Sequence, residues 1–171
     1  MRGREFLDDF KKLYNLYAKD LYKYMFYLTH DRDLSEELVQ ETFYQAFISI
    51  HRFKGHSKIK TWLYQIGKNV YYKNVRKKLP KHDLFDEENY NFDTRSTPET
   101  ILQLFEQQLE LHTAIRKLTE PYKEVVILRS FNELSFKEIG EIFSESENWA
   151  RVTFHRGKQK LRAALIEGEH Q

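Results

Sequence analysis

The 171-residue chain contains no cysteine. That excludes disulfide frameworks, thiolate nucleophiles and Cys-based zinc or iron–sulfur sites, and nothing points to an oxidising compartment. No apolar run approaches the roughly 18 residues that a membrane span needs. The N-terminus, MRGREFLDDFKKLY, is charged throughout and lacks the apolar core of a signal peptide, so a cytoplasmic protein is expected. Catalytic signatures are missing too: there is no Gly-rich phosphate loop, no H-E-x-x-H pair and no G-x-S-x-G elbow, and the seven histidines have no metal-ligand spacing. No enzyme is expected, and no catalytic residue, metal or cofactor.

What is present is strongly segregated charge under a net +2. Residues 1–41 carry seven basic and nine acidic side chains, whereas residues 42–82 carry ten basic and none acidic. The sign reverses over 83–110, with eight acids against the single Arg95, and residues 151–166 again hold five bases and no acid. One such run is usually a solvated face. Two acid-free runs in separate segments, the first interleaved with aromatic residues, form the footprint expected for a polyanion with stackable bases. With 40% hydrophobic residues, the length suits one ordinary domain or two small ones.

Periodicity gives helices throughout. Phe6, Phe10, Leu13, Tyr17, Leu21, Tyr24 and Leu28 form one buried stripe of a first helix. Asp33 and Glu36 read as a capping box for a second, which buries Leu38, Val39, Thr42, Phe43, Ala46, Phe47 and Ile50. Gly55 and Ser57 break the pattern. A third helix, starting near residues 58–61, buries Trp62, Leu63, Ile66 and Val70 and turns Lys60, Tyr64, Lys68, Tyr72 and Arg76 outward. After Leu79 the acidic, aperiodic segment Pro80–Thr97 reads as a linker. Helical signals resume at STPET, where Ser96 or Thr97 can cap and Pro98 suits a first turn, and Ile101, Leu104, Phe105, Leu111, Ile115 and Leu118 continue on helical spacing. A further helix opens at Thr119 and Pro121 and presents Val125, Leu128 and Phe131 to a core.

The last fifty residues hold the sharpest local signal. Ser135 and Glu138 form a capping box ahead of a short helix burying Ile139, Ile142 and Phe143. Ser146 can start another, in which Ala150, Phe154, Gly157, Leu161 and Leu165 line one side and Arg151, His155, Lys158 and Arg162 another. A short helix, a tight turn and a basic second helix make a helix-turn-helix unit suited to a DNA major groove. A hairpin that merely packs is the plain alternative, since the loop SESE lacks the usual turn glycine.

These segments, in this order and spacing, resemble the extracytoplasmic function (ECF) group of the sigma-70 family of transcription initiation factors. YKYMFYLTHDRDLSEELVQETFYQAF is similar to the family's polymerase-docking segment, FKGHSKIKTWLYQIGKN to its "F.G.S.F.TWLY.IA.N" segment, and AIRKLTEPYKEVVILRSFNELSFKEIGEIF to the start of region 4. The resemblance implies an all-α protein of two small helical domains joined by a flexible linker: a region 2 bundle over 1–79, the linker over 80–97 and a region 4 helix-turn-helix domain over 98–171. It also implies a function: binding core RNA polymerase and directing promoter-specific initiation, with an anti-sigma protein, often membrane-anchored, as a further partner. A helix-turn-helix regulator acting without polymerase is the alternative reading; it would bind duplex DNA alone and would not need the ELVQETF stripe.

Carried onto this chain, the resemblance places the melted minus-10 strand against Lys54, Gly55, His56, Ser57, Lys58, Lys60, Thr61, Trp62, Tyr64, Gln65, Lys68, Asn69, Tyr72 and Arg76. The lysines and arginine, with Lys73, would neutralise phosphates, and exposed rings such as Tyr64 or Tyr72 could stack on bases. Trp62 stands beside Leu63 and Ile66, so a core role and DNA contact are both open to it; Asn69 is either a DNA ligand or a plain polar helix residue. Minus-35 duplex would meet Ser135, Ser146, Asn148, Arg151, Val152, His155, Arg156 and Lys158. Polymerase would meet Glu37, Leu38, Gln40, Glu41 and Tyr44. The recognition turn departs from the family's "LGIS.GTVKSRL": Ser144 stands at the glycine and ENWARVTF replaces GTVKSRL, so the promoter sequence is not legible.

Overall fold

A computed structural model describes residues 2–77 and 98–168, with side chains over 5–77 and 108–167. Every regular element among them is helical: α1 (Arg2–Thr29), α2 (Arg32–Ser49), a 3-10 turn (Ile50–Arg52) and α3 (Ile59–Lys77), then α4 (Pro98–Lys117), α5 (Tyr122–Ser130), α6 (Phe136–Phe143) and α7 (Glu147–Gly168). The linker expected over 80–97, with the candidate caps Ser96 and Thr97 at its end, lies outside the described residues. Proline at the start of α4 suits a first turn, where its missing N–H costs nothing.

The first three helices form a bundle around Leu21, Met25, Leu28, Leu38, Phe43, Ala46 and Leu63. The α1 stripe is buried at Leu13, Leu21, Tyr24 and Leu28 and half-buried at Phe10 and Tyr17, while Phe6 near its start is 39% exposed and rests on Phe47 with ring centroids 5.4 Å apart. The chain leaves α1 through His30, whose φ of 53° turns it sharply. Asp31, not Asp33, caps α2: it is extended at φ −131° and ψ 120°, and its carboxylate accepts the Leu34 N–H at 2.9 Å. Asp33 already lies inside the first turn, where its charge favours the helix N-terminus. The buried Thr42 hydroxyl donates to the Leu38 carbonyl at 2.6 Å, so a polar residue enters the core satisfied.

In the second half, α5 is central. Its five consecutive residues Glu124, Val125, Val126, Ile127 and Leu128 are all buried, so it is enclosed on every side rather than amphipathic. The Ser135–Glu138 capping box of α6 is formed in both directions, and Ser146 caps α7 by accepting the Trp149 N–H at 3.0 Å. The turn between them dispenses with glycine at its tip: Ser144 itself takes the left-handed conformation, φ 57°. Glycine is needed four residues earlier, because a Cβ on Gly140 would lie 2.8 Å from the Glu145 carbonyl oxygen and 2.9 Å from that of Ser146.

The two halves pack directly against each other, with α1 and α3 facing α4, α5 and α6. Tyr27 of α1 stacks on both His112 and Phe131, with centroids 4.8 and 4.1 Å apart. Asn132 donates to the Asp20 carbonyl at 2.8 Å and lies 3.0 Å from the Tyr64 hydroxyl. Glu124 accepts hydrogen bonds from the hydroxyls of Tyr24 on α1 and Tyr72 on α3.

Candidate nucleic-acid and polymerase surfaces

The loop before α3 is open. Gly55 has φ 74°, a backbone state that side chains resist, yet nothing lies within 4 Å of where a Cβ would stand. Glycine is therefore set here by the backbone turn and leaves space beside it. Lys54, His56 and Lys58 are exposed, Ser57 and Lys60 half-buried. Trp62 is half-buried against Phe53 at 5.2 Å, so it packs and still shows an edge. Thr61 is fully buried, with no hydrogen-bond partner for its hydroxyl, which corrects its placement on a DNA-facing surface in this conformation.

The outward face expected of α3 is only partly outward. Tyr64 is fully buried, against the expectation of an exposed ring, and Tyr72 is half-buried with its hydroxyl 2.8 Å from Glu124. The physical reason is a second neighbour: α3 buries one side in its own bundle and offers the other to α5 and α6. Gln65 donates to the Glu141 carbonyl at 2.7 Å, Lys68 sits 4.6 Å from the centre of the Phe143 ring, and Lys58 pairs with Glu138 at 3.2 Å. Beyond this seam Asn69, Lys73, Arg76 and Lys77 remain exposed, and with Tyr72 and Phe143 they edge a cleft of about 770 Å³.

The outer face of α7 is free. Asn148, Arg151, Val152, His155, Arg156 and Lys158 are all exposed, while Ala150, Thr153 and Gly157 are buried beneath them. Arg151 is held in place: its guanidinium bonds Glu147 one turn earlier at 2.8 Å and lies 5.3 Å from the Phe136 ring centre. Ser135 and Ser146 are exposed, but each hydroxyl is engaged as a helix cap.

On α2, Glu37, Gln40, Glu41 and Tyr44 form the expected exposed stripe, with Tyr44 58% exposed. Leu38 does not belong to that surface: at 2% exposure it anchors α2 in the core. The stripe forms one wall of a cleft of about 630 Å³ whose other wall is α3, with Asn69, Lys73, Asn74 and Lys77. Acidic and basic walls thus face each other. Sequence reasoning placed Phe47 in the core and passed over Ile48; both are exposed on α2 and form the apolar part of this neighbourhood.

Glu124 was also missed, although a glutamate inside YKEVVIL is a visible anomaly. Burial, then the neighbouring Glu120 carboxylate, pushes its pKa up to about 7, with the tyrosine hydrogen bonds and Lys68 pulling the other way. Across the same seam His30 and His112 lie 3.3 Å apart, Nδ1 to Nδ1, and burial lowers their pKa values to about 3 and about 4.

Residues 13–79 match the family described as Sigma-70 region 2, and residues 108–161 match Sigma-70, region 4. RNA polymerase sigma factor YlaC of Bacillus subtilis (strain 168) is 30% identical over 173 residues, covering 100% of this chain and 98% of its own. ECF RNA polymerase sigma factor SigM of the same organism is 30% identical over 161 residues, covering 92% and 95%. Among solved structures, the sigma factor RpoE in complex with the anti-sigma factor NepR from Bartonella quintana superposes with a TM-score of 0.70 at 20% identity, over 92% of this chain and 97% of that one. CnrH in complex with the cytosolic domain of CnrY gives 0.68 at 20% identity, over 92% and 88%; both show the shared fold. With the two regions matched in order and relatives aligned along nearly its whole length, the chain belongs to the ECF group of the sigma-70 family, non-enzymatic subunits of RNA polymerase that direct promoter-specific transcription initiation.

Proposed function

We propose that the three surfaces divide the work of initiation: α7 meets minus-35 duplex, the loop 54–58 with α3 holds the melted minus-10 strand, and the α2 stripe docks on core polymerase. The single observation that carries this reading is the sorting of α7. Its buried side is Ala150, Thr153 and Gly157, and its exposed side is Asn148, Arg151, His155 and Lys158 at helical spacing. That leaves a narrow basic ridge of the width a major groove accepts. Arg151, pre-oriented by Glu147 and Phe136, is the foremost base-reading side chain.

The minus-10 assignment rests on Lys54, Lys58, Lys60, Lys68, Lys73 and Arg76 gathered along one loop and one helix, with no acid among residues 42–82 to offset them. The cellular setting is the cytoplasm, where polymerase works; among the described residues no helix is long and apolar enough to cross a membrane. An anti-sigma protein is the proposed antagonist, since two proteins of the same fold were solved with one or with a cytosolic partner domain. Gel-shift titration of the Arg151→Ala holoenzyme on promoter duplex tests the α7 reading. The loss should be about 1–3 kcal/mol if a bidentate base contact is removed, and it should be confined to templates bearing the preferred upstream element. An equal loss on all sequences would make Arg151 a phosphate contact and pass base reading to Asn148 or His155.

A further inference from the structure

Glu147 opens α7, one turn ahead of Arg151 and on the same exposed edge. Residues 151–166 carry five bases and no acid, so Glu147 sets a negative charge beside an otherwise basic ridge. An acid there costs affinity for any duplex, because it faces the phosphates that the ridge attracts. Its use to the fold is small. A helix favours an acid in its first turn, but Ser146 already caps α7. The Glu147–Arg151 pair is about half exposed, 51% and 47% by side chain, and exposed pairs contribute little to stability. What the pair does fix is direction. Glu147 Oε1 accepts from Arg151 Nη2 at 2.8 Å, and the guanidinium lies 5.3 Å from the Phe136 ring centre. Phe136 in turn carries Arg129 at 4.7 Å, whose own Nη1 donates to the Leu134 carbonyl at 2.9 Å. Arg151 is therefore restrained at one end by a carboxylate and on one face by a braced ring, with the rest of its donor fork left over.

We propose that Glu147 is a specificity-determining positioning residue: it holds the Arg151 fork for a guanine edge, offers its second oxygen to the amino group of a cytosine in the neighbouring base pair, and weakens binding to other sequences. This rests on the assignment of α7 to minus-35 duplex. Guanine presents O6 and N7 to a guanidinium fork, and cytosine presents its N4 amino group to a carboxylate. A side chain that is already held loses less freedom on binding than a loose one. Where the matching bases are absent, the carboxylate finds no donor and its charge opposes the phosphates. Discrimination then comes from a gain on the right sequence and a penalty on the wrong one.

The test uses holoenzyme reconstituted with the full chain and a promoter duplex library randomised over the minus-35 element. Wild type should enrich guanine at one position with cytosine in an adjacent pair; selection without such a step overturns the proposal. Arg151→Ala should erase the guanine preference. Glu147→Ala should erase the cytosine preference and lower the guanine preference about tenfold. On scrambled duplex the same variant should bind about threefold more tightly and with a steeper salt dependence, which loss of a purely structural residue does not produce. Glu147→Asp keeps an acid in the first turn but falls a methylene short of Arg151. It should melt like wild type and select like Glu147→Ala. Wild-type selection by either Glu147 variant, or uniform weakening on all sequences, overturns the role given to Glu147. If Arg151→Ala erases the guanine preference while the Glu147 variants select normally, only that role fails. If Arg151→Ala leaves selection unchanged, the assignment of α7 fails and the proposal with it.

Discussion

Glu124 is the residue on which the two halves converge, and its environment makes a sign-definite prediction. Its folded pKa, about 7, lies above the ordinary 4.5, so its contribution to stability is fully present below about 4.5 and is lost as pH rises through 7. His30 and His112 act in the opposite sense. Their folded values of about 3 and about 4 lie below the ordinary 6.5, so the stability they permit is present above 6.5 and lost as pH falls below it. Urea titrations between pH 5 and 8 should therefore show Glu124→Gln removing a loss of stability that the wild type suffers between about pH 5 and 7, with the two slopes alike above that; a pH dependence unchanged by the substitution between pH 5 and 7 would mean that Glu124 does not titrate there. Gly140 carries a second residue-scale expectation. Any Cβ at that position meets backbone oxygens, which cannot swing aside, so Gly140→Ala should cost about 1–3 kcal/mol in a denaturant melt. Ser144→Gly should be neutral or stabilising by up to about 1 kcal/mol, because it relieves a left-handed residue. The sequence displayed both positions, but the usual helix-turn-helix pattern put the glycine at the tip of the turn, where Ser144 stands. The true constraint is how closely α6 approaches the residues that start α7, a distance that periodicity does not encode.

At the scale of elements, helix identity and buried stripes were legible because each stripe repeats at helical spacing, and the Ser135 box and the Ser146 cap were readable for the same local reason. The first cap was misplaced by two residues, since Asp31 and Asp33 both carry an acceptor and only the backbone decides which is extended. For α3, legibility ended at its second face: Tyr64 and Tyr72 read as outward because tyrosine and lysine alternate there, and nothing local announces that another domain will cover them. The α2 stripe is simpler. Glu37 and Glu41 are exposed and one turn apart on the surface, so Glu37→Lys with Glu41→Lys should leave helicity and melting temperature nearly unchanged while abolishing co-purification with core polymerase. Core binding at wild-type affinity would move the docking face elsewhere, with the exposed Phe47 and Ile48 beside it the first residues to try.

Across the whole molecule, helical spacing marked two helical regions, the basic blocks pointed to a polyanion, and the order of segments, through their resemblance to a known family, pointed to a transcription initiation factor. Their mutual packing was not, because it depends on single contacts such as Tyr27 on Phe131 and Asn132 on Asp20 that leave no periodic trace. The division of labour between the halves is the central claim, and run-off transcription with core polymerase on paired fully duplex and pre-melted minus-10 templates tests it most directly. Alanine at Lys60, Lys68 and Arg76 together should impair initiation on duplex template and recover much of it on the pre-melted one. Arg151→Ala should lose discrimination at minus-35 on both templates. Recovery of Arg151→Ala discrimination by the pre-melted bubble, or a triple variant impaired equally on both templates, would contradict the assignment of melted strand to α3 and duplex to α7.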